Sequence, residues 1–195
     1  VARHWRVRLG VAHRFASRRL VEWELLPEWS AAVASGDVER GERTLAIAEA
    51  IAKQYASQTG ESRVAEQVAE ARAARGTAAH RLAAAHRALA VGELAIDQMD
   101  FATARKELPQ AVSTFAVNSI GWRRATVELL IAEHLANGRE GGLTAKIERR
   151  ASLGGDDDAT RARLAWLQGV VASNEVDVGK AIGRYAEALA AFDRL

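Results

Sequence analysis

The chain has 195 residues, of which 49% are apolar and only 6% aromatic, and its formal net charge is +2. A charge so close to balance gives the whole chain no strong preference for nucleic acid or for a membrane surface. The sequence contains no cysteine, which excludes disulfides, thiolate nucleophiles and sulfur-bound metals and favours a reducing, cytoplasmic location. No apolar run approaches the roughly 20 residues that a membrane-spanning helix needs.

Alanine is abundant along the whole chain, and Pro27 and Pro109 are the two prolines. Alanine is the best helix former, and its short side chain lets neighbouring helices approach closely. No run of alternating β-branched residues bounded by turn residues indicates a strand. The sequence therefore predicts an all-α fold.

The first predicted element is a basic amphipathic helix over residues 1–25. Its apolar positions include Trp5 and Trp23, while Arg3, Arg14 and Arg18 lie largely off that stripe. Two hypotheses follow. The favoured one is the first helix of a helical array with solvated arginines, because a tryptophan at each end suits core packing. The alternative is a surface for an acidic partner, nucleic acid or a membrane.

Glycine, aspartate and asparagine then punctuate the chain between stretches of helical apolar spacing. Ser62 to Met99 is long for one helix, and Gly76 is its predicted weak point because glycine destabilises a helix interior. Pro109 is predicted inside a helix, which it should bend. The predicted helix hairpins are 27–57, 76–117, 120–152 and 157–195.

Internal repetition is the strongest pattern in the sequence. Two stretches share every offset, and a third matches most of them. The first two sets are Gly92, Phe101, Ala104, Leu108 and Ala111; and Gly169, Val178, Ala181, Tyr185 and Ala188. The third set, Gly36, Val38, Gly41, Leu45 and Ala48, lines up with Met99, Phe101, Ala104, Leu108 and Ala111. A hairpin cannot bury its apolar face alone, so repeated hairpins are expected to stack.

The repeat also predicts particular contacts between the two helices of a hairpin. Gly92 is expected to pack near Ala104, and Gly169 near Ala181, because small residues on both helices allow a close crossing. A large apolar residue four positions later would fill the space beside each crossing. Leu108 and Tyr185 are therefore expected to be largely buried.

These residues resemble a degenerate tetratricopeptide-type (TPR) repeat. Ala181-x3-Tyr185-x2-Ala188 after Gly169 is similar to the TPR signature, and the copy after Gly92 is weaker. The first tryptophan of the signature is replaced by Ala88 and Ala165, and its closing proline is missing. The resemblance implies antiparallel hairpins stacked as a right-handed solenoid.

A narrower resemblance covers roughly residues 76–195, which are similar to the N-terminal helical region of bacterial CHAT-domain proteins. In that family, repeats of the TPR type precede a caspase-like protease domain. The resemblance implies a protein-interaction scaffold or regulatory region that senses a partner and controls such an effector domain. Because the chain starts without methionine and ends in a helical pattern, residues 1–195 are expected to be one region of a longer polypeptide.

No residue pattern predicts catalysis, a metal or a cofactor. His80 and His86 are six residues apart, which places them on different faces of a helix, and no H-E-x-x-H motif exists. The run Asp156 to Asp158 precedes a predicted helix, where carboxylates cap free N–H groups. The chain is therefore predicted not to be an enzyme.

The candidate site is a partner-binding surface on the first helix of two hairpins. In TPR proteins these positions face the concave surface and contact a protein or peptide, so the resemblance assigns that role to equivalent positions here. They are Arg163, Trp166, Val170 and Asn174 in the last hairpin, with His86, Glu93 and Asp97 in the middle one. The expected partner is a protein or peptide on the concave face, and a C-terminal effector domain of the same polypeptide is a further candidate. A nucleic-acid-associated regulator that uses the Arg-rich N-terminal helix is the alternative function.

Overall fold

A computed structural model describes residues 16–137 and 142–194, and these residues contain nine α-helices and no strand. The predicted all-α class is confirmed. The predicted helix over residues 1–25 falls largely outside the described residues, since only residues 16–25 of it are seen, as helix. None of the described helices is long and apolar enough to cross a membrane.

The helices follow one another with short connections. They are α1 (Leu26–Ser35), α2 (Val38–Thr59), α3 (Arg63–Ala73), α4 (Gly76–Asp97), α5 (Phe101–Thr114), α6 (Ile120–Asn137), α7 (Leu143–Ser152), α8 (Asp158–Asn174) and α9 (Val178–Phe192). A π-helical stretch, Leu20–Leu25, runs directly into α1. The predicted break at Gly76 and the predicted position of Pro109 inside a helix, α5, are confirmed.

The chain divides into two compact units, one up to Ala90 and the other from Val91 to Arg194. In the first unit, α1, α2 and α3 enclose a core whose largest members are Trp29 and Tyr55. Both side chains are almost completely buried, and burial of aromatic surface on this scale dominates the stability of a small core.

Arg18 was expected to lie on a solvated face, and this prediction was wrong. It is buried, and its guanidinium donates to both carboxylate oxygens of Glu22 and to Glu61. A guanidinium can leave water when carboxylates satisfy its donors in this way. Arg18 therefore fastens the start of the helical region to the residues just before α3.

Three interhelical turns share one backbone geometry, which gives the sequence repeat a structural meaning. Each turn has a residue in the left-handed region followed by an aspartate that caps the next helix. The left-handed residues are Gly36, Met99 and Val176, at φ of 72°, 60° and 64°. The caps are Asp37, Asp100 and Asp177, whose carboxylates accept the amide N–H three residues later. The amide of each aspartate also donates to a carbonyl five residues back, which closes the preceding helix as in a Schellman turn.

Replacing Val176 with glycine is expected to stabilise the second unit by about 1 kcal/mol. Valine has a branched Cβ that is strained at positive φ, and its side chain is exposed, so little packing is lost. The measurement is the free energy of unfolding in denaturant. The reciprocal variant Gly36→Val, at the equivalent turn, should be destabilised. A less stable Val176→Gly variant would contradict the proposed strain.

The contacts of the repeat glycines differ in part from those expected. A Cβ added to Gly92 would lie 2.5 Å from the side chain of Leu108, and one added to Gly169 would lie 2.7 Å from the ring of Tyr185. Each glycine therefore accommodates the large residue of its hairpin, whose side chain reaches across the crossing. Leu108 is fully buried as predicted, but the prediction for Tyr185 was wrong, since it is 38% exposed.

Candidate functional site: an ion-pair ladder on the first helices

The predicted site residues lie on the first helices of their hairpins. Arg163, Trp166, Val170 and Asn174 are on α8, and Glu93 and Asp97 are near the end of α4, all in the second unit. His86 is also on α4 but belongs to the first unit, where it is buried with its ring edge-on to Trp29, 6.1 Å between centroids. The site described below consists of the predicted residues that belong to the second unit.

Two ion pairs link the first helices of three successive hairpins, α4, α6 and α8. Arg124 on α6 donates to both carboxylate oxygens of Glu93 at 2.6 Å. One turn further along α6, Glu128 accepts a hydrogen bond from Arg163 on α8 and forms an ion pair with it. Three of the four residues are buried, and only Arg163 is partly exposed. We call these four residues the ion-pair ladder.

Burial dominates the electrostatics of the ladder. Loss of water raises the pKa of Glu93 to about 7, against the opposing attraction of Arg124. Burial also disfavours the charge of Arg163, but the carboxylate of Glu128 outweighs it and raises the pKa of the guanidinium. Bidentate arginine–carboxylate pairs fix both distance and orientation. The ladder therefore holds α4, α6 and α8 in a defined arrangement within the second unit.

The remaining predicted residues are placed beside this ladder or at its end. Asn174 lies 3.3 Å from the imidazole Nε2 of His134, which belongs to α6. Burial lowers the pKa of His134 and so favours the neutral form of its ring. Trp166 and Val170 are half-buried, and Asp97 is exposed. The charged and amide groups of α8 are thus engaged inside the unit, while Trp166 and Val170 keep part of their apolar surface accessible.

Sequence reasoning missed the partners of the predicted residues, Arg124 and Glu128. Both lie in α6, in the stretch where the repeat signature is lost, and they are four residues apart on one face. The available signal was the spacing of these two charged residues, which places both on the inward side of an apolar helix. Their partners are 31 and 35 residues away in sequence, and only the packing of the hairpins reveals them.

The acidic groups outside the ladder serve structural roles in the described residues. Among the described residues, no group of three histidine, aspartate or glutamate side chains could hold a metal ion. Asp157 caps α8 by accepting the N–H and the hydroxyl of Thr160, and Asp156 pairs with Arg150. The capping role predicted for this acidic run is confirmed for Asp157.

A second accessible surface lies on α9. The five large apolar residues of this helix stay exposed, between 38% and 64%. They are Val178, Ile182, Tyr185, Leu189 and Phe192, which we call the apolar flank of α9. In the preceding hairpin, the residues equivalent to Tyr185 and Phe192 are Leu108 of α5 and Phe115 just beyond its end, which are both buried. A Cβ added to Gly121 of α6 would collide with the ring of Phe115, so α6 covers that residue.

The described residues form an all-α structure in which the same turn occurs three times and ion pairs link α4, α6 and α8. No protein-family model, curated protein or solved structure matches the chain. The relation to TPR repeats and to CHAT-domain proteins therefore stays a prediction from sequence.

Proposed function

We propose that this chain is a protein-binding helical-repeat module whose hairpins stack in the manner of a TPR solenoid. The observation that carries the proposal is the ion-pair ladder, which fixes three first helices relative to one another and leaves Trp166 and Val170 half-exposed beside it. A rigid surface loses little entropy when a partner binds. Tryptophan is also enriched among the residues that dominate binding energy at interfaces.

The structure changes the roles proposed for the individual residues. Arg163 and Asn174 are positioning residues, because Glu128 and His134 occupy their polar groups. Trp166 and Val170 are the proposed anchors for an apolar side chain of the partner. Asp97 is exposed and supports a preference for a partner segment with a basic residue, by simple charge attraction.

The test begins with affinity capture from an extract of the source organism and identification of the retained proteins. Each candidate is then titrated against wild type, Trp166→Ala and a matched control, Trp23→Ala, which removes a half-buried tryptophan from the first unit. We expect Trp166→Ala to weaken binding about tenfold or more, and Trp23→Ala to leave it unchanged. Circular dichroism checks that both variants keep their helix content. Equal binding by Trp166→Ala and wild type would exclude this surface.

The finer proposal is regulatory, in a bacterial polypeptide and in the cytoplasm. It says that partner binding on this surface controls a caspase-like protease domain, and it is supported by the sequence resemblance alone. The competing proposal, a nucleic-acid surface on the first helix, depends mainly on arginines outside the described residues. Among the described ones, Arg18 is engaged by Glu22 and Glu61, so nothing in the structure favours that alternative.

A further inference from the structure

The first hairpin, α1 and α2, differs from the next one at the crossing of its helices. When the two are aligned on their shared turn, Trp29 of α1 takes the position of Gly92. Gly41 of α2 takes the position of Ala104. A Cβ added to Gly41 would lie 3.7 Å from the indole of Trp29. The large side chain of this crossing is therefore on the first helix, and it lies over a glycine of the second.

A cavity of about 240 Å³ opens beside this crossing, where ends of α1, α2, α3 and α4 meet. Its wall includes the buried side chains of Trp29, Leu45 and Ala71. Seven of the lining residues are alanine or glycine, so few side chains are long enough to fill the space. An apolar cavity of about 150 Å³ can already hold a benzene ring. This cavity therefore has room for one ring and a short chain, and we call it the Trp29 cavity.

The Trp29 cavity is built entirely by residues of the first unit. The described chain begins at residue 16, and the helical stretch from there to Gly36, which lines the cavity, is roughly 30 Å long. The cavity therefore lies far from the start of the described residues. Its shape follows from the packing of four consecutive helices.

The acidic side chains at the rim of the cavity already have positive partners. The carboxylate of Asp37 accepts the amide N–H of Arg40 at 3.0 Å and so caps α2, where it also meets the positive end of the helix dipole. Glu42 lies 3.9 Å from the guanidinium of Arg72. Neither carboxylate therefore leaves an uncompensated negative charge at the rim.

The basic side chains at the rim are not compensated in this way. Arg75 and His80 line the cavity and are exposed, and neither forms an ion pair with a described residue. Arg75 donates to the carbonyl oxygens of Arg72 and Ala74, which leaves its positive charge without a counter-charge. Residues 71–92 contain four arginines and no acidic residue. The side of the rim formed by the end of α3 and the start of α4 is therefore electropositive.

We propose that the Trp29 cavity binds a small aromatic carboxylate, with its ring against Trp29 and its carboxylate at Arg75 and His80. The ring would displace water from an apolar wall, which is favourable. A guanidinium can hold a carboxylate by two parallel hydrogen bonds, and the imidazole of His80 supplies a further N–H donor. An apolar body with one oriented polar group is the usual division of roles in small-molecule sites.

Size and charge select this class of ligand. The volume suits a molecule with a single ring, whereas drug-sized ligands and cofactors occupy cavities of about 300–1,000 Å³. One guanidinium beside one imidazole matches a single negative charge. An aromatic ring also gains from contact with the indole of Trp29 beyond the burial of its area. This site goes beyond the proposed protein-binding surface, since it involves neither Trp166 nor any other residue of the second unit.

Titration with hydrocinnamate, a phenyl ring on a short carboxylate chain, tests the proposal by heteronuclear NMR on the whole chain. Amide signals from residues around the Trp29 cavity should shift and saturate, with a Kd of about 1 mM or lower for a ligand of this size. The uncharged amide of the same acid should bind about tenfold more weakly, because the charge-assisted contact is lost. The corresponding amine, which carries a positive charge, should bind more weakly still.

Two variants with matched controls locate the ligand. Ala79→Leu fills the cavity from α4 and should abolish binding, whereas Ala84→Leu places the same side chain on an exposed position of that helix and should not. Arg75→Gln should weaken binding about tenfold. Arg81→Gln, which removes an exposed arginine of α4 outside the cavity, should leave binding unchanged. Circular dichroism confirms that all four variants remain helical.

Several outcomes would overturn the proposal. They are a wild type without saturable shifts, an amide that binds as tightly as the acid, and unchanged binding by Ala79→Leu or Arg75→Gln. Binding of a longer peptide that carries the same group, without binding of the free acid, would also overturn it, because the site would then be a protein-docking surface. None of these outcomes depends on whether Trp166 binds a partner, so the two proposals fail separately.

Discussion

Replacing Arg124 with methionine is expected to lower the free energy of unfolding of the second unit by about 3–5 kcal/mol. The substitution keeps most of the side-chain volume but leaves the carboxylate of Glu93 buried without its bidentate partner. Breaking one half of a buried pair costs more than the pair itself contributes, because the remaining charge is desolvated and unsatisfied. Denaturant unfolding followed by circular dichroism gives the change.

Two comparisons show whether the loss comes from the stranded charge. The double variant Arg124→Met, Glu93→Leu removes both charges and should recover most of the stability, since an apolar pair of similar size packs without desolvation cost. Arg43→Met removes a partner of the exposed Glu39 and should change little. A double variant no more stable than Arg124→Met would show that the two residues do not act as a pair.

The loss of stability in Arg124→Met is expected to depend on pH. Burial raises the pKa of Glu93 from its ordinary 4.5 to about 7 in the folded chain, so this residue stabilises the fold below pH 4.5 and that contribution is lost as pH rises through 7. Removal of Arg124 also removes an attraction that lowers this pKa. The loss of unfolding free energy caused by Arg124→Met is therefore expected to be smaller at about pH 5, where Glu93 is protonated, than at about pH 8. An equal deficit at both values would mean that Glu93 does not titrate in this range.

Leu108→Ala is expected to cost about 2–5 kcal/mol, because it opens a cavity at a fully buried position above Gly92. The equivalent substitution in the last hairpin, Tyr185→Ala, should cost clearly less, since that side chain is 38% exposed and its site can fill with water. The two residues occupy the same position of the repeat. The difference in stability loss between the two variants therefore measures the effect of covering that side chain with the next helix.

Hydrogen exchange measured by mass spectrometry locates the effect. Peptides from α5 and α6 should lose protection in Leu108→Ala, whereas Tyr185→Ala should change α8 and α9 alone. Equal losses of stability in the two variants would contradict the difference in burial between the hairpins.

The sequence was sufficient for the helical class, the repeat and the principal breaks, because these depend on local patterns. Glycine at position 36 and aspartate at 37, 100 and 177 are turn and capping residues whose effects lie within a few residues. Met99 and Val176 adopt the left-handed conformation at the equivalent turns, although neither residue type favours positive φ. The alignment of Met99 with Gly36 followed from the common offsets, but the left-handed turns at Met99 and Val176 were not predicted.

The candidate site was less accessible to sequence reasoning. The first-helix positions were chosen by analogy, which says nothing of the groups opposite them. Arg163 looked available for a ligand until Glu128 on α6 was seen to hold it. Tyr185 was expected to be buried because a large side chain four positions after Ala181 would fill the space beside the helix crossing. Its burial also depends on a neighbouring helix, which the local pattern does not contain. Contacts between hairpins are set by packing over more than 30 residues of chain, where periodicity carries no information.

The brevity of the three equivalent turns has a kinetic consequence. Each turn joins its two helices through only two or three residues. The two helices that must pack together are therefore neighbours along the chain. In α8 and α9, for example, Asp158 at the start of one helix bonds Arg194 just beyond the end of the other. Low contact order of this kind gives rapid folding, on the order of milliseconds or faster for helical domains. During synthesis, each such pair can close as soon as its second helix leaves the ribosome, without waiting for distant sequence.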